Sequence, residues 1–185
     1  MIIFFTSSIR GLKQFRINLN SIYSAISILG HKYIGNYPFK VTVEEVYFKN
    51  PNNNVKLVND MENFMKECDL MILEVSKHSA SMGYMIMKVL SMKKPVIALY
   101  IKENNPAFLI GIEDENFQLI EYETATIKDT IKKAIKYAGD VGNIRFNMLL
   151  SPKQSIFLKE AAEKEGISKA TLIRKLLNKY KKESI

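Results

Sequence analysis

Along the first 140 positions, short wholly apolar runs alternate with longer segments whose apolar residues recur every three to four places. The chain opens with "IIFF", a strand that ends in the hydroxyl-rich "TSSIRG". Phe15, Leu19, Ile22, Ala25, Ile26 and Leu29 then form one stripe of a helix expected over 12–29. "GHKYIGNYP" breaks that helix, "FKVTVEEVYF" reads as a second strand, and "NPNNN" is a loop signal. Asn59 or Asp60 can cap a short helix through Met65. "DLMILEV" has almost no polar face, as in a strand buried on both sides of a parallel sheet. A helix over 81–92 follows and is stopped by "KKP". "VIALY" and "FQLIEY" are further strands, and "TIKDTIKKAIKYA" is a helix with Ile127, Ile131, Ala134, Ile135 and Ala138 inward.

Strand and helix alternate throughout this part, which predicts an α/β fold. It would be a doubly wound, mostly parallel sheet of about five strands, Rossmann- or flavodoxin-like, with its pocket at the carboxyl ends of the strands. The α/β domain is expected to span 1–138, and "GDVGN", residues 139–143, to be a linker. Beyond it, in 144–185, the order changes to one strand and two helices. "NIRFNMLL" alternates, with Ile144, Phe146, Met148 and Leu150 on one face and Arg145, Asn147 and Leu149 on the other. Ser151 caps a helix with Pro152 at its first position and Gly166 at its end, and Ser168 opens another. A unit of this size buries little core alone, and one strand is not a sheet. A second copy is therefore expected to supply the partner strand.

Hydrophobic residues make up 47% and charged residues 25% of the 185 positions, enough apolar content for a folded core. No apolar run approaches twenty residues and the N-terminus lacks a charged leader, so a cytoplasmic protein with no membrane partner is expected. The single cysteine, Cys68, with only His31 and His78 beside it, gives no disulfide framework and no metal-ligand spacing. No Gly-rich phosphate loop or dinucleotide fingerprint is present, and no cofactor is expected. The net charge of +8 is uneven: residues 1–140 hold 17 Lys/Arg against 15 Asp/Glu, whereas 141–185 hold 10 against 4. That local excess suits a polyanion partner, although a basic solvated tail would look the same.

"RFNMLLSPKQSIFLKEAAEKEGISKATLIRKLLNKYKKE" resembles a ribbon-helix-helix domain, the DNA-binding fold of the Arc and Met repressors. The resemblance implies a homodimer whose paired strands enter the major groove, with Arg145, Asn147 and Leu149 as base readers. It also places a backbone phosphate at Ser168 and Lys169, where the second helix begins. Arg can bond guanine and Asn adenine, while Leu149 can touch only a thymine methyl. The alternative reading of this unit is dimerisation alone.

"FTSSIRG", "CDLMILEVSKHSASMGY" and "KKPVIALY" together resemble the nucleoside 2-deoxyribosyltransferase superfamily, most closely its deoxynucleotide N-hydrolase branch, over about residues 2–138. The resemblance implies a nucleotide pocket with phosphate held by Ser8, Arg10 and Ser79, and by backbone amides of a helix beginning at Ser81 to Gly83. The family nucleophile is a glutamate directly after a glycine-aromatic pair. Here that pair is Gly83-Tyr84 and the next residue is Met85, whose thioether cannot attack an anomeric carbon. The aromatic hydroxyl of the first strand is replaced by Phe4, and the assisting aspartate falls on Asp60, one residue out of register. Asp60 and Glu74 are the remaining, weak catalytic candidates. Glu113, Asp114 and Glu115 look like a solvated loop, His78 like a loop histidine that could also reach a phosphate, and Tyr84, Met85 and Met87 like packing residues.

These readings combine into an expected nucleotide-responsive, DNA-binding regulator, homodimeric or homotetrameric, whose sensor domain no longer catalyses. The alternative is a nucleotide N-glycosidic hydrolase or deoxyribosyltransferase that uses a displaced carboxylate and carries the ribbon for oligomerisation or self-regulation.

Overall fold

A computed structural model of the chain describes residues 1–35, 42–44, 51–141 and 148–183. It divides into two compact units, Met1–Asn143 and Ile144–Ile185.

The first unit is an α/β fold. Its strands are β1 (Ile2–Ser7), β2 (Lys32–Ile34), β3 (Leu70–Glu74), β4 (Val96–Tyr100) and β5 (Phe117–Glu121), all parallel and in the order β2-β1-β3-β4-β5. Helices α1 (Arg16–Ile28) and α4 (Ile127–Val141) cover one face, and α2 (Pro51–Glu67) and α3 (Ala80–Ser91) the other. The two-residue period of the strands sorts the core accordingly. Ile3, Phe5, Leu70 and Ile72 meet α1 and α4, while Phe4, Met71 and Leu73 meet Met65, Met85, Ile86 and Val89. Because both faces are covered, β3 and most of β4 are buried throughout, which is why they read as unbroken apolar runs.

Several expected boundaries are corrected. The second strand of the sheet is Lys32–Ile34, inside the segment expected only to break a helix. Of the expected strand over 39–48, Val43 and Glu44 are helical, and 39–41 and 45–48 lie outside the described residues. Gly35, directly after this strand, has a φ of +79°. A Cβ at that position would run into the Phe4 ring, so glycine is required on both counts. "PNNN" is the first turn of α2 and not a loop: Pro51, with no N–H to leave unpaired, is well suited to a first helical position. Gly139, expected just past α4, lies within it, as do Asp140 and Val141. Burial of Ile131, Ala134, Ile135 and Ala138 carries that helix a turn further than the glycine signal suggested.

The second unit holds α5 (Pro152–Lys164) and α6 (Lys169–Glu183). Ser151 Oγ accepts from Gln154 N at 3.3 Å and Gln154 Oε1 accepts from Ser151 N at 3.0 Å, a reciprocal cap. At the other end Gly166, φ +65°, donates to Glu163 O and Ile167 N to Ala162 O, which closes α5 and turns the chain into α6. The expected ribbon strand is not seen in the described residues: Met148, Leu149 and Leu150 are irregular, and Arg145 and Asn147 lie outside them.

Candidate functional site

The strand order places the switch point at β1 and β3, where the connections leave in opposite directions and the loops part. A cavity of about 490 Å³ opens at that point on the α2/α3 face. Its walls come from three elements. The end of β1 supplies Thr6, Ser7 and Ser8; α2 supplies Leu57, Val58, Met61, Glu62 and Met65; the start of α3 supplies Ser79, Ser81, Tyr84 and Met85.

Thr6 and Ser7 are 0% and 2% exposed, and among the described residues neither Thr6 Oγ1 nor Ser7 Oγ has a hydrogen-bond partner. Leaving a buried hydroxyl unpaired costs about 1–3 kcal/mol. Thr6 leaves β1 on the α2/α3 face with Phe4 and Leu73, the face of the cavity, whereas Ser7 alternates to the α1/α4 face beside Glu74. Ser79 is the N-cap of α3 with its hydroxyl uncommitted to the cap, while its carbonyl accepts from Met82 N and Gly83 N. The first amides of α3 thus face this end of the cavity. Glu62 Oε1 accepts from Tyr84 Oη at 3.4 Å across the mouth.

Of the residues singled out for phosphate, Ser8, Ser79 and Ser81 line this cavity. Gly83 lines a neighbouring hollow on the other side of the α3 amino end, and Arg10 is exposed on the 3-10 turn Ile9–Gly11, away from both linings. Met85 is buried and lines the cavity. Asp60 does not line the cavity. On α2 the lining residues 57, 58, 61, 62 and 65 form one stripe, and position 60 is turned away from it.

Glu74 does not line it either. It projects from β3 to the α1/α4 face, opposite Met85, and accepts from Ser76 N at 3.3 Å and Tyr122 Oη at 3.4 Å. Burial pushes its carboxyl above the usual range, against the smaller pull of Ser76 and Tyr122. Burial, then the Glu74 charge, pushes the Tyr122 phenol up in turn. Asp114 is part of a local turn into β5, with Oδ1 accepting from Asn116 N at 2.8 Å, and neither it nor Glu113 or Glu115 reaches the cavity.

Thr6, Ser7 and Glu62 were not singled out from the sequence. "TSS" carried the signal for the first two. Glu62 shares a stripe with Met61 and Met65 in the expected short helix as in α2, but nothing local shows that this stripe lines a cavity. Among the described residues no group of three or more His, Cys, Asp or Glu could hold a metal ion, and no helix is long and apolar enough to cross a membrane. In the second unit Leu149 is 102% exposed, and Ser168 and Lys169 are exposed where α6 begins.

No family model and no curated protein matches the chain. Among solved structures, a CMP N-glycosidase of Clostridium botulinum is similar over 71% of this chain and 99% of its own, with a TM-score of 0.51 and 16% identity. At that identity the likeness is one of fold, a parallel α/β sheet covered by helices on both faces.

Proposed function

We propose that the cavity between α2 and α3 binds a pyrimidine nucleoside 5′-monophosphate such as CMP. The observation that carries this reading is the buried, unpartnered hydroxyl of Thr6 on its wall. A ligand rich in hydroxyl and phosphate oxygens satisfies it, and Ser8, Ser79, Ser81 and the amino end of α3 surround the same space. The fold likeness to a CMP N-glycosidase supports the choice of nucleotide. CMP at a hundred times its dissociation constant is expected to stabilise the protein by about 2.7 kcal/mol, read as a rise in melting temperature. Thr6→Val keeps the shape and removes the hydroxyl, and should weaken CMP about tenfold. A panel of nucleotides that leaves the melting temperature unmoved would sink the reading.

N-glycosidic cleavage is a second reading, favoured by the fold likeness and by Glu62, the one carboxylate among the described cavity-lining residues. With a thioether at Met85, Glu62 would take a proton from water as the water oxygen bonds to C1′ and the C1′–N1 bond breaks, and would return that proton to the departing cytosine. Incubation with CMP and dCMP should then release free cytosine, and Glu62→Gln should abolish the release. No release by the wild-type chain leaves a binding domain.

For the second unit the reading remains a ribbon-helix-helix dimer that binds DNA. Its support is the net +6 charge of residues 141–185 and the apolar side chains that α5 and α6 leave exposed, among them Phe157, Leu176 and Leu177. Nucleotide occupancy of the α/β unit would then report on, or regulate, DNA binding through a difference in affinity between two arrangements.

A further inference from the structure

On the other side of the amino end of α3 lies a second hollow of about 420 Å³ that shares Ser79, Ala80 and Met82 with the first. The two therefore adjoin across one turn of helix. Their chemistry differs. Among the described residues the first has Glu62 as its single charged lining residue, whereas the second is lined by Lys77 and His78. Its floor is apolar, from Val75, Met82 and Leu109, and at its rim the 3-10 turn Ala107–Leu109 holds Phe108 with its side chain 95% exposed. Lys77 is held in place from behind: its Cβ lies against Gly11, where even an added methyl would come within 3.0 Å.

We propose that the two hollows form one cleft for a dinucleotide, a nucleoside joined through a 5′,5′-diphosphate to a second nucleoside. This rests on the nucleotide reading of the first cavity and extends it. The first nucleoside occupies that cavity, its sugar oxygens on Thr6. The diphosphate crosses the amino end of α3, drawn away from Glu62 and toward Lys77 and His78, where the helix dipole and the ammonium act together. The second ring lies on the face of Phe108. An anion divided between a wall with a carboxylate and a wall with a lysine settles beside the lysine, so a mononucleotide leaves the apolar half of the second hollow empty. The buried unpartnered hydroxyl of Thr6 is the independent sign that the cleft is made for a ligand.

Calorimetric titration of the full chain with CMP, CDP and dicytidine 5′,5′-diphosphate tests the arrangement. Affinity is expected to rise in that order. Phe108→Ala should weaken the dinucleotide about tenfold and leave CMP unchanged, as the loss of one base-stacking platform requires. Lys77→Met, which keeps the stem packed on Gly11, should weaken all three ligands, CDP and the dinucleotide more than CMP. Because Phe108 is almost fully exposed, its loss does not threaten folding. If CMP binds and the dinucleotide binds no tighter, or if Phe108→Ala weakens both alike, the second seat is overturned and the nucleotide reading stands. If none of the three binds, both fall.

Discussion

Two carboxylates show how environment decides what a residue does. Glu62 and Glu74 differ little as sequence, yet one stands on the wall of the cavity and the other is sealed behind the sheet with Tyr122 and Ser76. In parallel register Glu74 sits beside Ser7, and both side chains leave their strands on the α1/α4 side. Burial holds its carboxyl above the usual range, so the folded state retains a proton that the unfolded chain releases near pH 4. The sign follows directly: stability from this group is present at acid pH and declines as pH rises through the raised value. Glu74→Gln keeps an acceptor for Ser76 N and Tyr122 Oη and removes the charge. Its melting temperature should exceed that of the wild type at pH 7, and the gap should close toward about pH 4. A constant gap across that range would mean that the carboxyl titrates as an ordinary one.

At the scale of elements, the cavity depends on how α2 and α3 are held. Both ends that matter are tied to one short turn. Lys93, φ +59°, stands where a glycine usually ends a helix, and its N–H and that of Lys94 return to Leu90 O and Val89 O to close α3. The next side chain, Lys94, reaches across: its Nζ donates to Met65 O at 3.1 Å, to Cys68 O at 2.9 Å and to Lys66 O. An ammonium on the last carbonyls of α2 satisfies groups that would otherwise lack partners and complements the helix dipole. Lys94→Met keeps the stem and deletes these bonds. Denaturant titration should show a loss of about 1.5–3 kcal/mol, as for hydrogen bonds made by a charged group. A loss below about 0.5 kcal/mol would mean that water replaces the ammonium at no cost. The "KKP" that signalled only a helix end in the sequence therefore also fixes one wall of the site.

At the scale of the whole molecule the two units differ in self-sufficiency. The first has a two-sided core around its sheet, with wholly buried side chains from Ile3 to Ile131. In the second, among the described side chains, only Ala162 and Leu172 are buried, while Ile156, Phe157, Leu176, Leu177 and Tyr180 are exposed. A unit of that kind gains its core by association. Analytical ultracentrifugation of the full chain should give a dimer or a tetramer, and Leu177→Glu should shift it toward smaller species. A monomer at micromolar concentration would remove both the dimer and the ribbon that depends on it. With a DNA site in hand, Arg145→Ala should cost about 1–3 kcal/mol there and relax one position.

What the sequence determined by itself was whatever a local period encodes. The apolar runs of β1, β3 and β4 and the stripes of α1 and α4 announce which residues are inside, because burial on a sheet or helix face repeats every two or 3.6 residues. The caps Ser151 and Gly166 were legible for the same reason, as their bonds reach only three to five residues. The tertiary structure alone decided which polar groups meet. Thr6, Glu62 and Ser79 are brought to one cavity by the crossing of β1, α2 and α3, whereas Asp60 and Glu74 are carried away from it by a rotation about a helix and by the alternation of a strand. No period in the chain records those distances, since they are set by how whole elements pack. The short β2 escaped for the same reason: its three residues form a strand only because β1 offers them an edge to pair with.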